Sequence, residues 1–497
     1  MGDVVTTRAG RVEGAEGDGV RVFRAVPYAA APVGTRRWRA PEPMVHWPFV
    51  WRATGTAPAA PQPVDASPGS GVLPGLDVTK TDEDCLYLNV WAPTGAAAAP
   101  VLVWVPGGAF VTGGAAIPMY DGSALAARHG VVVVTVTYRL GALGFAAIEG
   151  APPNRGLLDQ VAALAWVRDN IEAFGGDPGN VTVFGESAGG GSVLHLLAMP
   201  SSRGLLRRAI VQSGATDLTL TADQAASVAD RFTSALEGDL SAKVGRVLDA
   251  QQAAMFEAMA EVGAMPYHPF VDGEVVTARP LEAVGSAAVD LLIGTTRDEM
   301  RMFLDPKSAE LDRERVTRRA ARYLASLGGD EAVAGELVAS YDDDPRLATP
   351  GDVWSAIQTD GEMRRPADAM ATAHAEGGAG ATFVYRFDHP LTGDLGHLRA
   401  CHASDLPYPF GTIDLAGWST VVPPEAHRVS DAMQAAWAAF ARTGDPSCDE
   451  LGEWPEYDVT RRATMILDDA PRVADDPDGA RRVIWERAAP LRRSTGS

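Results

Sequence analysis

The chain is expected to fold as an α/β protein, with an open central sheet flanked by helices. Three observations predict it. Short β-branched runs alternate with stretches of helical period, the pattern of an open sheet with helices on its faces. One run, Val181-Thr182-Val183-Phe184, passes through Gly185-Glu186-Ser187-Ala188-Gly189 into a helix expected from about Gly191 to Met199. No internal repeat or interdomain linker interrupts the order, so residues 1–497 are read as a single domain.

Composition narrows the class. The 497 residues are 46% hydrophobic and 22% charged, ordinary globular values with length for a sizeable core. The net charge of -21 argues against nucleic acid and anionic membrane surfaces as partners. The N-terminus lacks a basic stretch followed by an apolar one, so no signal peptide is expected. The apolar run Val131 to Val136 is too short to span a bilayer. Cys85, Cys401 and Cys448 are sparse and odd in number, unlike a disulfide framework, and a cytoplasmic setting is expected. No Cys/His cluster has metal-ligand spacing.

Taken in order, the chain opens with short strands, Arg11–Gly14 and Val20–Phe23. The Pro-, Gly-, Ser- and Ala-rich stretch from Ala57 to Gly75 reads as a long exposed loop, of the kind that binds or covers ligands. Glu83–Trp91 is a strand of mixed pattern. Pro100–Val105 and Val131–Val136 are buried strands by length and branching. The first runs into Pro106-Gly107-Gly108-Ala109-Phe110, where glycines let backbone N–H groups approach a bound carbonyl.

Gly156–Phe174 has helical period. Leu157, Val161, Leu164, Val167 and Ile171 form one face, and Asp159, Arg168, Asp169 and Glu172 lie mostly opposite. Gly175 to Gly179 ends that helix. Further strands are expected at Arg208–Gln212, Leu291–Thr295 and Ala381–Phe387. Arg313–Leu327 and Glu331–Tyr341 read as amphipathic surface helices, and Ser430–Arg442 as a helix rich in Ala and Met. Thr464–Leu467 is expected to be the last strand, before a frayed basic tail.

The chemistry centres on Ser187. Gly185 and Gly189 have no Cβ, so strand and helix can close around a strained turn that exposes the hydroxyl. The N–H of Ala188, at the helix start, is placed to donate to an oxyanion. A serine needs a base, and the base an orienting carboxylate. Glu299, just past the Leu291–Thr295 strand, has the best placement for the acid, with Asp298 as the alternative. For the base, His374 lies in a helical segment and His427 opens a helix. Placement alone does not separate His389, His397 and His402, which all follow the Ala381–Phe387 strand.

A resemblance separates them. The chain resembles type-B carboxylesterases, the cholinesterase and para-nitrobenzyl esterase family, almost end to end, from Gly10 to about Tyr457. Early motifs that carry it are Glu83-Asp84-Cys85-Leu86-Tyr87-Leu88-Asn89-Val90, Gly107-Gly108-Ala109-Phe110 and Tyr138-Arg139-Leu140-Gly141. Phe174-Gly175-Gly176-Asp177-Pro178, Gly185–Gly190 and Gln212-Ser213-Gly214 follow in the family's order. Asp298-Glu299, then His402 with Asp405-Leu406-Pro407-Tyr408, complete the set. The resemblance implies an α/β-hydrolase fold, a large mixed, mostly parallel central sheet flanked by helices, with helical insertions over an active-site gorge. It implies Ser187 as nucleophile, Glu299 as acid, His402 as base, and Gly108, Ala109 and Ala188 as the oxyanion hole.

Three positions depart from the family. Pro106 stands where many members have an aromatic residue or His, but its missing N–H is not an oxyanion donor. Cys85 has no second cysteine nearby to bridge to, and Cys401 beside His402 is read as an inert thiol.

The expected function is therefore a serine carboxylesterase acting on short-acyl, aryl and benzyl esters through an acyl-enzyme, with an acidic pH limb in the ordinary histidine range. Phe110 is expected to form an apolar wall of the substrate pocket. Small residues in the oxyanion loop, as in hydrolases that accept tertiary alcohols, suggest tolerance of bulk on the alcohol side. The expected partners are an ester and water, with no cofactor, metal, nucleic acid or membrane, and the protein is expected to be a monomer. The alternatives are a cholinesterase-like binding protein without catalysis, or a serine hydrolase preferring amides, thioesters or longer-chain lipids.

Overall fold

The computed structural model describes residues 3–63, 72–214, 219–263 and 265–491. Its strands in chain order are β1 (Val4–Thr7), β2 (Gly10–Glu13), β3 (Ala15–Gly17), β4 (Val20–Pro27), β5 (Val50–Arg52), β6 (Tyr87–Pro93) and β7 (Ala99–Val105). They continue as β8 (Val132–Val136), β9 (Gly176–Glu186), β10 (Arg208–Gln212), β11 (Asp290–Thr296), β12 (Thr382–Phe387), β13 (Ala463–Leu467) and β14 (Arg472–Asp475). Among the described residues, eleven form one sheet in the order β14-β13-β12-β11-β10-β9-β7-β8-β6-β4-β3, and β1, β2 and β5 form a second.

The middle of the large sheet is parallel throughout, from β13 through β12, β11, β10, β9 and β7 to β8. Both ends are antiparallel, β14 on one side and β6, β4 and β3 on the other. The central strands read Val-Leu-Val-Trp-Val, Val-Val-Val-Thr-Val and Ala-Ile-Val because helices cover both of their faces. One hydrophobic cluster, containing Val103, Val183 and Ile293, fills one side of the sheet. Another, containing Trp104, Phe184 and Trp437, fills the other.

Several expectations change. The helix after Ser187 begins at Ala188, three residues earlier than expected, because the tight turn leaves no linker. Asp159 is not on a solvent face. It is fully buried and ion-pairs with the equally buried Arg139 at 2.7 Å. The 155–170 helix is covered on nearly all sides, so hydrophobic period did not mark its polar pairing. Residues 57–62 are buried rather than exposed, and the Gln62 amide donates to the Gly113 carbonyl at 2.9 Å. The rest of that expected loop, 64–71, lies outside the described residues.

The helices Arg313–Ser326 and Ala334–Ala339 are not merely surface cover. Val316, Ala320, Leu324, Leu337 and Val338 form a third cluster with Trp485. Trp485 belongs to a helix, Gly479–Ala488, where a frayed tail was expected, and β14 follows the supposed last strand. No described helix is long and apolar enough to cross a membrane.

Candidate active site

Parallel strands present their carboxyl ends on one edge of the sheet, where α/β proteins place ligands. β9 ends at Glu186, β7 at Val105 and β11 at Thr296, and the loop after β12 carries His402. The four segments converge on one cavity of about 710 Å³.

Ser187 sits at φ 54°, ψ -125°, a conformation that an L-residue holds only under constraint. Two glycines make the turn possible. A Cβ on Gly185 would stand 2.5 Å from the Gly189 carbonyl carbon, and one on Gly189 would stand 2.0 Å from the Val105 carbonyl oxygen. The Ser187 N–H donates to the Gln212 carbonyl at 2.9 Å, and the Ser187 carbonyl accepts from Gly191 N–H at 2.8 Å. The turn is thus held on both sides, with the hydroxyl facing the cavity.

His402 Nε2 lies 2.9 Å from Ser187 Oγ, and His402 Nδ1 lies 2.7 Å from Glu299 Oε2. Glu299 is fully buried, and its other oxygen accepts the Thr296 N–H at 2.8 Å. Backbone bonds tie the two loops together, from His402 N–H to the Glu299 carbonyl at 3.1 Å and from Asp298 N–H to the Ala400 carbonyl at 2.8 Å. The competing residues lie elsewhere. The Asp298 carboxylate accepts from Arg297 at 2.9 Å. His389 contacts Tyr408 and Asp469, and exposed His397 contacts the Asp394 carbonyl. His374 contacts Thr382, and His427 contacts Asp414.

The Gly107–Ala109 loop follows β7. The Gly108 carbonyl accepts from Val111 N–H, Thr112 N–H and Thr112 Oγ1 at 2.9–3.0 Å, which fixes that peptide. Gly108 has φ 116°, and a Cβ there would stand 2.3 Å from the Thr112 carbonyl oxygen. Gly108 and Ala109 line the cavity beside Ser187, and Ala188 opens the helix behind it. Among the described residues, the N–H groups of Gly108, Ala109 and Ala188 donate to no protein acceptor. Free, oriented donors beside a nucleophile are what an oxyanion requires.

Phe110 departs from expectation. Its ring is fully buried, packs edge-on against Phe145 at 5.0 Å, and does not line the cavity. At φ 60°, its backbone turns the side chain away from the loop's open face and into the core. The apolar walls are Met300, Met302, Phe303 and Met363, with Val262 and Met265 from the insertion between β10 and β11. Glu362 and Met363 reach the cavity from a π-helical turn, Asp360–Arg364, within the insertion between β11 and β12.

Sequence reasoning missed one neighbour. Glu186 is buried beside Ser187, with Oε1 3.2 Å from His402 Nε2. Burial pushes its carboxyl up to about 8. Burial works against charge on His402, but the Glu186 and Glu299 carboxylates outweigh it and lift the imidazole above its ordinary value. The variable position inside Gly-x-Ser-x-Gly carried no signal of this contact. Behind it, buried Asp405 accepts from Gln212 at 2.9 Å, and burial raises it to about 6. Burial also pushes the Cys401 thiol up, which suits an inert side chain. Cys85, Cys401 and Cys448 are all free. Among the described residues, no group of three or more His, Cys, Asp or Glu side chains is arranged to hold a metal.

A strand–elbow–helix in the middle of a long, mostly parallel sheet defines the α/β-hydrolase class. The Carboxylesterase family profile matches residues 2–485. The para-nitrobenzyl esterase of Bacillus subtilis is 39% identical, over 96% of this chain and 97% of that protein. The phenmedipham hydrolase of Pseudarthrobacter oxydans is 33% identical, over 95% and 97%. Among solved structures, a PNB esterase superposes with a TM-score of 0.82 at 38% identity, covering 97% of this chain and 100% of that one. A Geobacillus stearothermophilus carboxylesterase superposes with a TM-score of 0.84 at 37% identity, covering 97% and 99%. The chain belongs to the carboxylesterase family. It is a carboxylic ester hydrolase, with an ester and water as its substrates.

Proposed function

We propose that the protein is a serine carboxylesterase that hydrolyses aryl and benzyl esters of short acids through an acyl-enzyme on Ser187. One observation carries the reading, the unbroken chain of contacts from Ser187 Oγ through His402 to Glu299 at 2.9 and 2.7 Å. The ester carbonyl oxygen points at the N–H groups of Gly108, Ala109 and Ala188. Ser187 attacks the carbonyl carbon while His402 takes its proton, and Glu299 stabilises the imidazolium. The tetrahedral intermediate collapses, His402 protonates the leaving alcohol, and the acyl group stays on Ser187. Water, deprotonated by His402, then attacks the acyl carbon and releases the acid.

The Met- and Phe-lined cavity of about 710 Å³ favours a flat ring on the ester. The names of the relatives, a para-nitrobenzyl esterase and a phenmedipham hydrolase, point to aromatic substrates too. The reading keeps a single domain, a monomer and a cytoplasmic setting, the last supported by three free thiols.

Ser187→Ala should abolish turnover of p-nitrophenyl acetate while leaving the circular dichroism spectrum unchanged. A fluorophosphonate probe should label the wild type at Ser187. Labelling at Ser213 with Ser187 unmodified would overturn the assignment.

A further inference from the structure

A second cavity lies on the far side of Phe303. Its volume is about 360 Å³, and it is lined by Phe303, Asp305, Ser308, Arg319, Arg322, Trp354 and Gln358. Phe303 belongs to both cavities, and its ring lies 5.4 Å from the His402 ring.

The helix Arg313–Ser326 explains the charge. Arg313, Arg315 and Arg318 pair with Asp342, Asp312 and Glu314. Arg319 and Arg322, one helical turn apart on the face toward the cavity, make no ion pair among the described residues. Arg319 lies over the Trp354 ring at 5.8 Å, which orients one guanidinium and leaves an indole in the wall.

A second observation points to a ligand. Ser308 is 1% exposed, lines the cavity, and its buried Oγ has no hydrogen-bond partner. A buried hydroxyl without a partner costs free energy unless an occupant satisfies it. One carboxylate, Asp305, also lines the cavity, and its Oδ1 accepts the Lys307 N–H at 2.9 Å.

Two guanidiniums with planar donor forks, a hydroxyl and an amide between two aromatic rings fit a flat anion better than a compact one. We propose that this cavity is a second binding site, for an aromatic carboxylate. The proposal rests on Arg319, Arg322, Trp354 and Ser308, independently of the esterase reading. The carboxylate pairs with the guanidiniums and accepts from Ser308, and the ring lies along Trp354 and Phe303.

The test is calorimetric titration of the whole protein and of Arg319→Gln/Arg322→Gln with benzoate, acetate and benzamide. Glutamine keeps helix propensity and removes the guanidinium with its charge and donor fork. Benzoate should bind the wild type saturably and lose about tenfold or more in the double variant, the size expected for charge-assisted hydrogen bonds. Acetate and benzamide should each bind at least about tenfold more weakly, one for want of a ring and the other for want of charge. Absence of benzoate binding, equal affinity in the double variant, or acetate binding as tightly as benzoate would overturn the proposal. Turnover of p-nitrophenyl acetate by both proteins is read in parallel. Failure of the wild type to hydrolyse it would count against the esterase reading, independently of the titration.

Discussion

Glu186 Oε1 lies 3.2 Å from His402 Nε2, the same nitrogen that reaches Ser187 Oγ. A second buried carboxylate thus flanks the base on the side opposite Glu299. When ionised, it favours the imidazolium, the form in which the base is spent.

This moves the pH profile. His402 must be neutral to take the serine proton, and its carboxylate neighbours lift it above the ordinary value of 6.5. The acidic limb of kcat/KM should therefore lie above that value, not in the ordinary histidine range. Glu186→Gln removes one raising influence, so the limb should move to lower pH. A pH–rate series on both proteins checks this, and an unmoved limb would exclude Glu186 from the titration.

Glu299, not Asp298, should be the partner of His402. Glu299→Gln should lower kcat by roughly 10⁴-fold, the cost of losing the orienting carboxylate in a triad. Asp298→Asn should stay within about tenfold of wild type, because its carboxylate serves Arg297 instead. Steady-state kinetics on p-nitrophenyl acetate distinguish them, and the reverse order would transfer the role.

Asp159→Asn should cost stability rather than chemistry. Arg139 donates to both carboxylate oxygens of Asp159, from Nε at 2.8 Å and from a terminal nitrogen at 2.7 Å, with both side chains buried. Removing one charge leaves the other buried and unpaired, at a cost of about 3–5 kcal/mol. Urea denaturation should show a lower midpoint with an unchanged slope.

The alcohol side should admit a branched carbon. The loop Gly107–Ala109 brings only small residues against Ser187, and a Cβ on Gly107 would stand 2.6 Å from the Glu186 carbonyl oxygen. Hydrolysis of tert-butyl acetate should be measurable, though slower than that of n-butyl acetate. Phe110→Leu should leave the ratio of the two rates unchanged, because its ring lies in the core. No turnover of tert-butyl acetate by enzyme active on p-nitrophenyl acetate would refute the first expectation.

The order of strands and the elbow were legible because they follow local rules. β-branching marks β7, β8 and β10, and glycines mark the turn around Ser187. The proposed partners of Ser187 were only half legible. Glu299 follows from its place after β11, but His402 could not be separated from His389 and His397 by position, since the choice depends on how a 15-residue loop returns to the site. Asp159 and Phe110 were misplaced for a related reason. A helix buried on most sides has no polar face to read, and a positive φ redirects a side chain in a way that residue type does not announce. Glu186 was invisible as a neighbour of His402, because the contact forms only when segments 216 residues apart meet.

The same separation governs when the enzyme becomes active. Ser187 and His402 are 215 residues apart, and Glu299 and His402 are 103 apart. Loops of such length close late, after local helices and neighbouring strands have formed. On refolding from urea, far-ultraviolet ellipticity should therefore recover before acylation by a fluorophosphonate does. Nucleophilicity at Ser187 is a clock set to the last step of assembly, and the labelled fraction counts the molecules in which chain from both halves has come home.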